Sequence, residues 1–184
     1  MIELKDVRKA YNQGRDADGG WLSHVRLGYN YRMSDIQAAL GLAQLSRIDE
    51  ILAKRAQVAR WYDERLSAYD WLEFQKVPAG ASKSWFVYVV KLGDEYGQSD
   101  RDAILAGLRD QNIGCNNYFT PVHMQPFIQE RLGCGQGDFP VTETVAERTI
   151  ALPFFGTMQE QEVDAVCEAF VALARNGSRQ KASS

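Results

Sequence analysis

The chain has 184 residues, of which 45% are hydrophobic and 24% are charged, and its formal net charge at pH 7 is −3. This length supports one domain with a sizeable core, and the composition is that of an ordinary globular protein. The charge gives no basic footprint for nucleic acid. No apolar run approaches the ~20 residues that cross a bilayer. We therefore expect neither nucleic acid nor a membrane as a partner.

The first ten residues mix charged and apolar side chains, so they do not form a secretory signal. Their weak alternation is similar to the first strand of transporter-type ATPases, but no GxxxxGK[ST] loop follows. We interpret residues 1–13 as an amino-terminal lead of unclear origin. The predicted domain covers residues 14–174, and the polar residues 175–184 are predicted to be a disordered tail.

The run Leu27–Gly41 leads from an aromatic, polar loop directly into a helix. Asn30 and Arg32 are two residues apart, so in an extended segment they point the same way and Tyr31 points the other. The planar guanidinium of Arg32 suits phosphate or carboxylate. A serine followed three residues later by glutamine, Ser34–Gln37, predicts a capping box at the start of the helix.

Apolar residues recur at helical spacing from Ser34 to about Ala68. An unbroken helix of ~35 residues would reach ~52 Å, whereas a domain of this size has a radius of gyration of ~16 Å. We therefore expect either a kink near Ser46–Asp49 or a helix end that packs on something outside this chain. A further domain and a partner subunit are the two candidates.

Capping and breaking signals predict the remaining elements. In chain order they are a covered strand over 85–92, a helix over 100–111 capped by Ser99 and stopped by Gly114, an extended segment over 118–123, a short helix over 126–132, a helix over 141–149 begun by Pro140, and a helix from a Thr157–Glu160 capping box to Ala174. Helices interleaved with short strands predict an α/β (α+β) fold.

The three cysteines, Cys115, Cys134 and Cys167, are scattered and form no CxxC pair. This pattern is typical of free thiols in a reducing cytoplasm. Two histidines and three cysteines at these spacings make no metal-ligand set. No GxSxG elbow supports a serine nucleophile.

The run Leu27–Gly41 resembles the loop-to-helix signature of the pyridoxal-phosphate sugar aminotransferases of the DegT/DnrJ/StrS type. Four further motifs follow in the order typical of that family, so the resemblance covers about residues 14–174. They are Ser84–Tyr88, Tyr118–His123, Phe139–Pro140 and Leu152–Pro153.

The resemblance implies the small carboxyl-terminal domain of the fold type I pyridoxal-phosphate aminotransferases. That domain is a long helix plus a short, mostly antiparallel sheet with covering helices. The family's large domain would precede it with the Schiff-base lysine, the aspartate beneath the pyridine nitrogen and most of the phosphate cradle. These do not fit before residue 14, so we expect the chain to be the carboxyl-terminal portion of such an enzyme.

For the site, the resemblance implies that loop 24–34 crosses a dimer interface and that Asn30 and Arg32 approach the neighbour's cofactor phosphate. The alternative is a solvated loop in which Arg32 pairs with an acid such as Asp35.

The resemblance also implies a substrate-binding role for Tyr31, Tyr118 and His123. His123 can equally be a packed residue, and we do not expect it to be the general base. By ordinary burial rules we interpret Trp85 as core and Lys83 as a solvated surface residue.

The intact protein would thus be a homodimeric transaminase that uses pyridoxal 5'-phosphate, with glutamate as the amino donor and a nucleotide-linked keto sugar as substrate. The sequence is compatible with a pathway to cell-surface polysaccharides and with a pathway to antibiotic sugars. We expect this chain alone to be inactive and to contain no catalytic residue. The alternative is a non-catalytic remnant or interaction module that pairs with a full-length relative.

Overall fold

A computed structural model describes residues 33–181, with side chains described as far as Arg175. The chain divides into two units, Met1–Ile48 and Asp49–Ser184, which are taken separately below. The described elements are α1 (Asp35–Leu45), α2 (Ile48–Leu66), β1 (Leu72–Glu73), β2 (Tyr88–Leu92), α3 (Gln98–Asp110), β3 (Asn116–Asn117), a 3₁₀ turn (Val122–Met124), α4 (Pro126–Leu132), α5 (Pro140–Arg148), β4 (Thr149–Leu152) and α6 (Glu160–Lys181). No helix among them is both long and apolar enough to cross a membrane.

The described part of the first unit is dominated by α1, which begins with the predicted capping box. The hydroxyl of Ser34 accepts a hydrogen bond from the Gln37 N–H at 3.3 Å. The side-chain Oε1 atom of Gln37 accepts the Ser34 N–H in return at 2.9 Å. These two bonds satisfy donors that a helix start leaves without partners. α1 contains no buried residue.

The predicted helix from Ser34 to Ala68 is two helices. α1 ends at Leu45 and α2 begins at Ile48, so the break falls inside the predicted kink region. The Ser46 hydroxyl donates to the carbonyl of Ala43 at 3.0 Å. Serine side chains compete with the helical backbone in this way, which favours the end of a helix here.

The second unit contains a four-stranded sheet in the order β1-β2-β4-β3. All three strand pairings are antiparallel, as predicted. Side chains alternate between the two faces of a strand. Tyr88, Val90 and Leu92 therefore share one face of β2, and all three are buried.

The core lies between this buried sheet face and helices α2, α3 and α6. α6 contributes buried residues at helical spacing, namely Val163, Val166, Cys167, Phe170 and Ala174. Fully burying one large apolar side chain such as Phe170 stabilises the fold by roughly 1.5–3 kcal/mol. The sum over this cluster explains how helices and short strands of modest local stability hold together.

Two stacked tyrosines close the core at one end, with ring centroids 4.6 Å apart. The Tyr62 hydroxyl donates to the Pro153 carbonyl at 2.7 Å, and the Tyr88 hydroxyl donates to Asp63 Oδ1 at 2.6 Å. Both buried hydroxyls thus have acceptors, which removes the cost of burying them. Burial raises the pKa of both tyrosines, and the nearby Asp63 carboxylate raises that of Tyr88 further.

The start of α3 differs from its prediction. The helix begins at Gln98, so Ser99 lies inside the first turn and does not cap it. The carboxylate of Asp100 accepts the Gly97 N–H at 2.7 Å instead. An acid in the first turn can satisfy a free N–H as well as a serine can, and it also interacts favourably with the helix dipole.

The predicted stop of α3 at Gly114 is also wrong. Asn112 adopts the left-handed conformation with φ of 60°. The N–H of Asn112 bonds to the Arg109 carbonyl, and the N–H of Ile113 bonds to the Leu108 carbonyl, each at 2.9 Å. This is a Schellman motif, in which asparagine can replace the usual glycine.

α6 begins later than its predicted capping box and ends later than predicted. The Gln159 N–H donates to Glu162 Oε2 at 2.7 Å, so Thr157 and Glu160 do not form the box. The helix continues to Lys181, into the predicted disordered tail 175–184. Extending a formed helix adds one hydrogen bond per residue fixed, so the packed part of α6 favours continuation past Ala174.

The bounds of the remaining predicted elements are close to those of the observed ones. The predicted helices over 126–132 and 141–149 correspond to α4 and α5. The strand predicted over 85–92 is paired only from Tyr88. The predicted extended segment 118–123 is wrong at its end, because Val122–Met124 forms a 3₁₀ turn directly after Pro121.

Candidate functional site

A mostly apolar cleft of about 910 Å³ lies between the 3₁₀ turn, α4 and α5. Tyr118 and His123, predicted from the sequence, both line it. Phe139, Val141 and Val145 add apolar surface, and these three side chains are 51%, 78% and 40% exposed. Clefts of this size, with many apolar and few polar groups, are typical of binding sites for small molecules or for other protein segments.

Tyr118 is held in the cleft by its backbone. Its carbonyl accepts a hydrogen bond from the Thr149 hydroxyl at 2.8 Å, which ties the segment after β3 to the first residue of β4. The half-buried ring lies edge-on to Phe119, with ring centroids 5.3 Å apart. A tyrosine in this setting offers an aromatic face and a hydroxyl to a ligand.

His123 is buried, and its ring is already engaged. Its Nε2 atom lies 2.9 Å from Glu143 Oε1, and its ring centroid lies 4.7 Å from that of Phe139. The burial of His123 and these two contacts agree with its interpretation as a packed residue. The residue also lines the cleft. Its role in binding substrate stays a prediction.

Glu143 connects the parts of this cleft. Its carboxylate accepts the Gly137 N–H at 2.9 Å and the Phe139 N–H at 3.2 Å, in addition to its contact with His123. The Gly137 N–H is the largest cause that lowers the pKa of Glu143, and the hydrogen bonds from His123 and Phe139 lower it further.

Glu143 is not among the site residues that the sequence analysis predicted. One signal could have found it. Glu143 stands in the first turn after Pro140, where an acid meets the free N–H groups at the start of a helix.

A second cleft, of about 520 Å³, lies on the sheet face away from the core. Lys83 lines it with its Nζ atom 3.6 Å from the ring centroid of Trp85. The interpretation of Lys83 as a solvated residue is therefore wrong, because the side chain is half-buried against an aromatic ring. Burial lowers the pKa of its amine. Trp85 packs against the core, as expected.

Asn30, Tyr31 and Arg32 lie outside the described residues, so their predicted contacts with cofactor and substrate stay predictions. Within residues 33–181, no group of three or more histidine, cysteine, aspartate or glutamate side chains could hold a metal ion. The three cysteines are free thiols.

The described residues do not by themselves fit pyridoxal 5'-phosphate. Lys83 and Lys91 line the 520 Å³ cleft, but Lys83 lies against Trp85, and Lys91 pairs with Glu73 at 2.7 Å. The same ion pair occupies Glu73, which is the acid of this cleft that could otherwise contact a pyridine nitrogen. We therefore derive no chemical step through the cofactor from this part of the chain.

Comparison with known proteins places these features in a family. Residues 3–171 match the DegT/DnrJ/EryC1/StrS aminotransferase family. The spore coat polysaccharide biosynthesis protein SpsC of Bacillus subtilis is 32% identical over 171 residues, which cover 92% of this chain and 44% of SpsC.

Two solved structures extend the comparison to the fold. The aminotransferase TlmJ of Streptoalloteichus hindustanus is 26% identical, with a TM-score of 0.71 over 85% of this chain and 40% of that one. The pyridoxal-phosphate form of Spr1654 of Streptococcus pneumoniae is 22% identical, with a TM-score of 0.77 over 91% of this chain and 42% of that one.

The chain thus spans less than half the length of the proteins that it matches. Members of the matched family depend on pyridoxal 5'-phosphate. With its antiparallel sheet, its covering helices and the match over residues 3–171, the chain belongs to the DegT/DnrJ/EryC1/StrS aminotransferase family and corresponds to the carboxyl-terminal portion of such a protein.

Proposed function

We propose that this chain supplies the small domain of a transaminase that acts on keto sugars attached to nucleotides, with glutamate as amino donor. The observation that carries the proposal is the meeting of Tyr118 and His123 in one cleft of a chain from this aminotransferase family. In this proposal both residues, together with Tyr31, form part of the substrate wall. The cytoplasm is the proposed compartment, in keeping with the three free thiols.

The proposed contribution of Asn30 and Arg32 is to the cofactor phosphate of a neighbouring subunit in a homodimer. An amide donor and a planar guanidinium suit a phosphate group. The capping box at Ser34 supports this role, because it places the N-cap of α1 two residues after Arg32 and so limits where the loop can end. When bound, the cofactor supplies the electron sink of transamination.

The chain by itself is proposed to be inactive. The lysines in its 520 Å³ cleft are engaged with Trp85 and Glu73, so neither is placed for a Schiff base. The missing amino-terminal portion, with its lysine, would have to come from the same or another polypeptide.

A reconstitution experiment tests this proposal. The chain is mixed with the amino-terminal portion of a family member and pyridoxal 5'-phosphate, and the absorbance of protein-bound cofactor is recorded after gel filtration. We expect co-elution of both polypeptides with bound cofactor, while the chain alone elutes colourless. A mixture that stays separate and colourless would count against the proposal, as would transaminase activity of the chain alone.

A second candidate is an interaction module that pairs with a full-length relative. The exposed apolar residues of α1 favour this alternative, because Ile36, Leu40 and Leu42 are 83%, 64% and 68% exposed. The coding sequence upstream of Met1 separates the two candidates. An in-frame continuation into a lysine-bearing domain supports the enzyme, whereas a stop codon and a ribosome-binding site just upstream support the module.

A further inference from the structure

Three aromatic rings stack in a row that leads from the surface into the core. The ring centroid of the half-buried Trp85 lies 5.5 Å from that of Tyr88, with 21° between the ring planes. The Tyr88 centroid in turn lies 4.6 Å from that of Tyr62, with 20° between the planes. The side chains of Tyr88 and Tyr62 are 1% and 0% exposed. Within this stack, Trp85 is therefore the ring that a molecule in solution can reach.

The two tyrosines of the stack differ in the group that accepts their hydroxyl hydrogen. Tyr62 donates to the Pro153 carbonyl at 2.7 Å, and a backbone carbonyl accepts a hydrogen bond without taking up the proton. Tyr88 donates to a carboxylate, that of Asp63, at 2.6 Å. A carboxylate within hydrogen-bond reach can take the proton itself. Because Asp63 is exposed, the proton can then pass to water. Tyr88 is thus the tyrosine of this stack that can lose an electron and a proton together.

The charges around the stack favour oxidation of Tyr88 over oxidation of Trp85. The amine of Lys83 lies 3.6 Å from the ring centroid of Trp85. When protonated, this amine attracts the electrons of the indole, so it opposes the loss of one of them. The charged partner of Tyr88 is the Asp63 carboxylate, which favours electron loss from the phenol because it can accept the proton. An oxidised Trp85 should therefore be reduced again by Tyr88.

We infer that Trp85, Tyr88 and Asp63 form a relay for one-electron oxidation. A one-electron oxidant at the surface takes an electron from Trp85 and is itself reduced. Tyr88 then gives an electron to Trp85, and its hydroxyl proton moves to Asp63. The products are the restored indole ring, a neutral tyrosyl radical in the core and a protonated carboxyl group. The relay uses neither cofactor nor sugar, so it does not rest on the proposed function.

A second tryptophan–tyrosine pair provides a comparison within the same chain. The ring centroid of Trp71 lies 5.5 Å from that of Tyr69, with 44° between the planes. Here the cation faces the tyrosine, since the Arg175 guanidinium carbon lies 5.3 Å from the Tyr69 centroid. This charge opposes electron loss from Tyr69. We therefore expect the radical to persist at Tyr88 and not at Tyr69.

Rapid mixing of the full chain with tris(bipyridine)ruthenium(III), a one-electron oxidant, tests the relay. The metal is reduced to ruthenium(II), and electron paramagnetic resonance of samples frozen at successive times identifies the radical. We expect a tryptophanyl signal that gives way to a persistent tyrosyl signal. Tyr88→Phe should remove the persistent tyrosyl signal. Tyr62→Phe, the matched control in the same stack, and Tyr69→Phe, in the second pair, should keep it.

Asp63→Asn tests the proton step. The amide oxygen still accepts the Tyr88 hydroxyl but does not take up its proton. We expect this variant to lose the persistent tyrosyl signal and to keep the tryptophanyl signal for longer. Because Asp63 is exposed, the substitution leaves the core packing in place, and circular dichroism of each variant checks the fold.

Three results would overturn the inference. They are a persistent tyrosyl signal in Tyr88→Phe, an equal loss of that signal in Tyr62→Phe or Tyr69→Phe, and behaviour of Asp63→Asn like that of the parent chain. The measurement involves no pyridoxal phosphate and no second polypeptide. Its failure would leave the reconstitution result standing, and a failed reconstitution would leave the relay standing.

Discussion

The Nε2 atom of His123 lies 2.9 Å from the Oε1 atom of Glu143, and this pair joins the 3₁₀ turn to α5. The same carboxylate accepts the N–H groups of Gly137 and Phe139. One acid therefore holds the loop before α5 and the histidine in the cleft at once. We therefore expect His123 to position the wall of the cleft and not to transfer a proton.

Replacing this acid should loosen the cleft. Glu143→Gln keeps the size of the side chain, but it removes the negative charge and leaves one oxygen for N–H groups that both carboxylate oxygens now accept. The new NH₂ group would face the Gly137 N–H, which needs an acceptor. We expect unfolding at a lower urea concentration at pH 7. The matched control, Glu147→Gln, alters an exposed acid one turn later and should leave the midpoint unchanged.

The pH dependence gives this prediction a second readout. The Gly137 N–H holds the pKa of Glu143 below its ordinary value of 4.5. The carboxylate therefore contributes stability above that ordinary value, and the contribution is lost as pH falls through the lowered pKa. The difference between the parent chain and Glu143→Gln should shrink in acid. A difference that stays constant from pH 7 to pH 3 would contradict the assignment.

A second prediction concerns the left-handed residue at the end of α3. Asn112 has φ of 60°, a conformation that glycine adopts freely and β-branched residues adopt at high cost. We expect Asn112→Gly to leave the free energy of unfolding unchanged or to raise it by a few tenths of a kcal/mol, and Asn112→Val to lower it by about 1–2 kcal/mol. Urea unfolding followed by circular dichroism measures both.

The opposite order of these two variants would show that Asn112 is not in the left-handed conformation. An exposed site two residues away, Asp110→Val in the last turn of α3, controls for the general effect of valine on the helix. It should cost less than Asn112→Val, because its backbone is helical.

These helix ends show where sequence reasoning was sufficient and where it was not. Ser34 and Gln37 are three residues apart, so one short pattern defined the start of α1 correctly. At α3 and α6 several polar residues compete for the same N–H groups. The carboxylates of Asp100 and Glu162 accept the N–H of the residue before the helix, whereas the predicted caps Ser99 and Thr157 do not. Such competition depends on side-chain geometry that spacing alone does not contain.

The candidate site was predictable to a similar degree. Tyr118 and His123 stood in a motif that resembled the family, and the structure brings both to one cleft. The partner of His123 is 20 residues away, and the 910 Å³ cleft combines the 3₁₀ turn, α4 and α5. Contacts between distant elements are set by the packing of the core, so no local sequence pattern predicts them.

A third prediction ranks the thiols. Burial raises the pKa of Cys167 to about 12, whereas Cys134 is half-buried and its thiol donates to the His123 carbonyl at 3.6 Å. Because the thiolate is the reactive form, we expect Cys167 to react with iodoacetamide at pH 8 at least about a hundredfold more slowly than Cys134. Mass spectrometry of timed samples measures the order.

Unfolding provides the control for this ranking, because in urea all three cysteines should react at similar rates. The raised pKa also predicts that stability falls above about pH 9, where the unfolded thiol loses its proton and the folded one keeps it. Equal labelling of Cys167 and Cys134 in the native chain would show that α6 is not packed as described.

A fourth prediction follows from the surface of α1. Its large apolar side chains have no cover within the described residues, and Ile36 and Leu40 are 83% and 64% exposed. We expect the purified chain to oligomerise and to bind a hydrophobic dye. The double variant Ile36→Lys/Leu40→Lys should shift it towards the monomer in light scattering. Val77→Lys, at an exposed apolar site outside α1, should not.

A monodisperse monomer without dye binding would count against an interface on α1. A change with Val77→Lys equal to that of the double variant would instead show that a lysine at any exposed apolar site has this effect. The two substitution sets therefore separate an interface on α1 from a general effect of removing exposed apolar side chains.

The last prediction concerns the loop before α1. If Arg32 binds the phosphate of pyridoxal 5'-phosphate, Arg32→Ala should weaken cofactor binding in the reconstituted assembly about tenfold or more, since it removes charge-assisted hydrogen bonds. Arg32→Lys should recover part of the loss, because it restores the charge without the planar fork. Arg131→Ala, at an exposed site in α4, controls for the loss of one positive charge.

Dialysis followed by absorbance of the retained cofactor ranks the variants by cofactor affinity. Equal cofactor retention by Arg32→Ala and the parent would favour the alternative, in which Arg32 lies in a solvated loop. Loss of cofactor from Arg32→Ala but not from Arg131→Ala would link the loop to the cofactor, because both variants keep the capping box that begins α1.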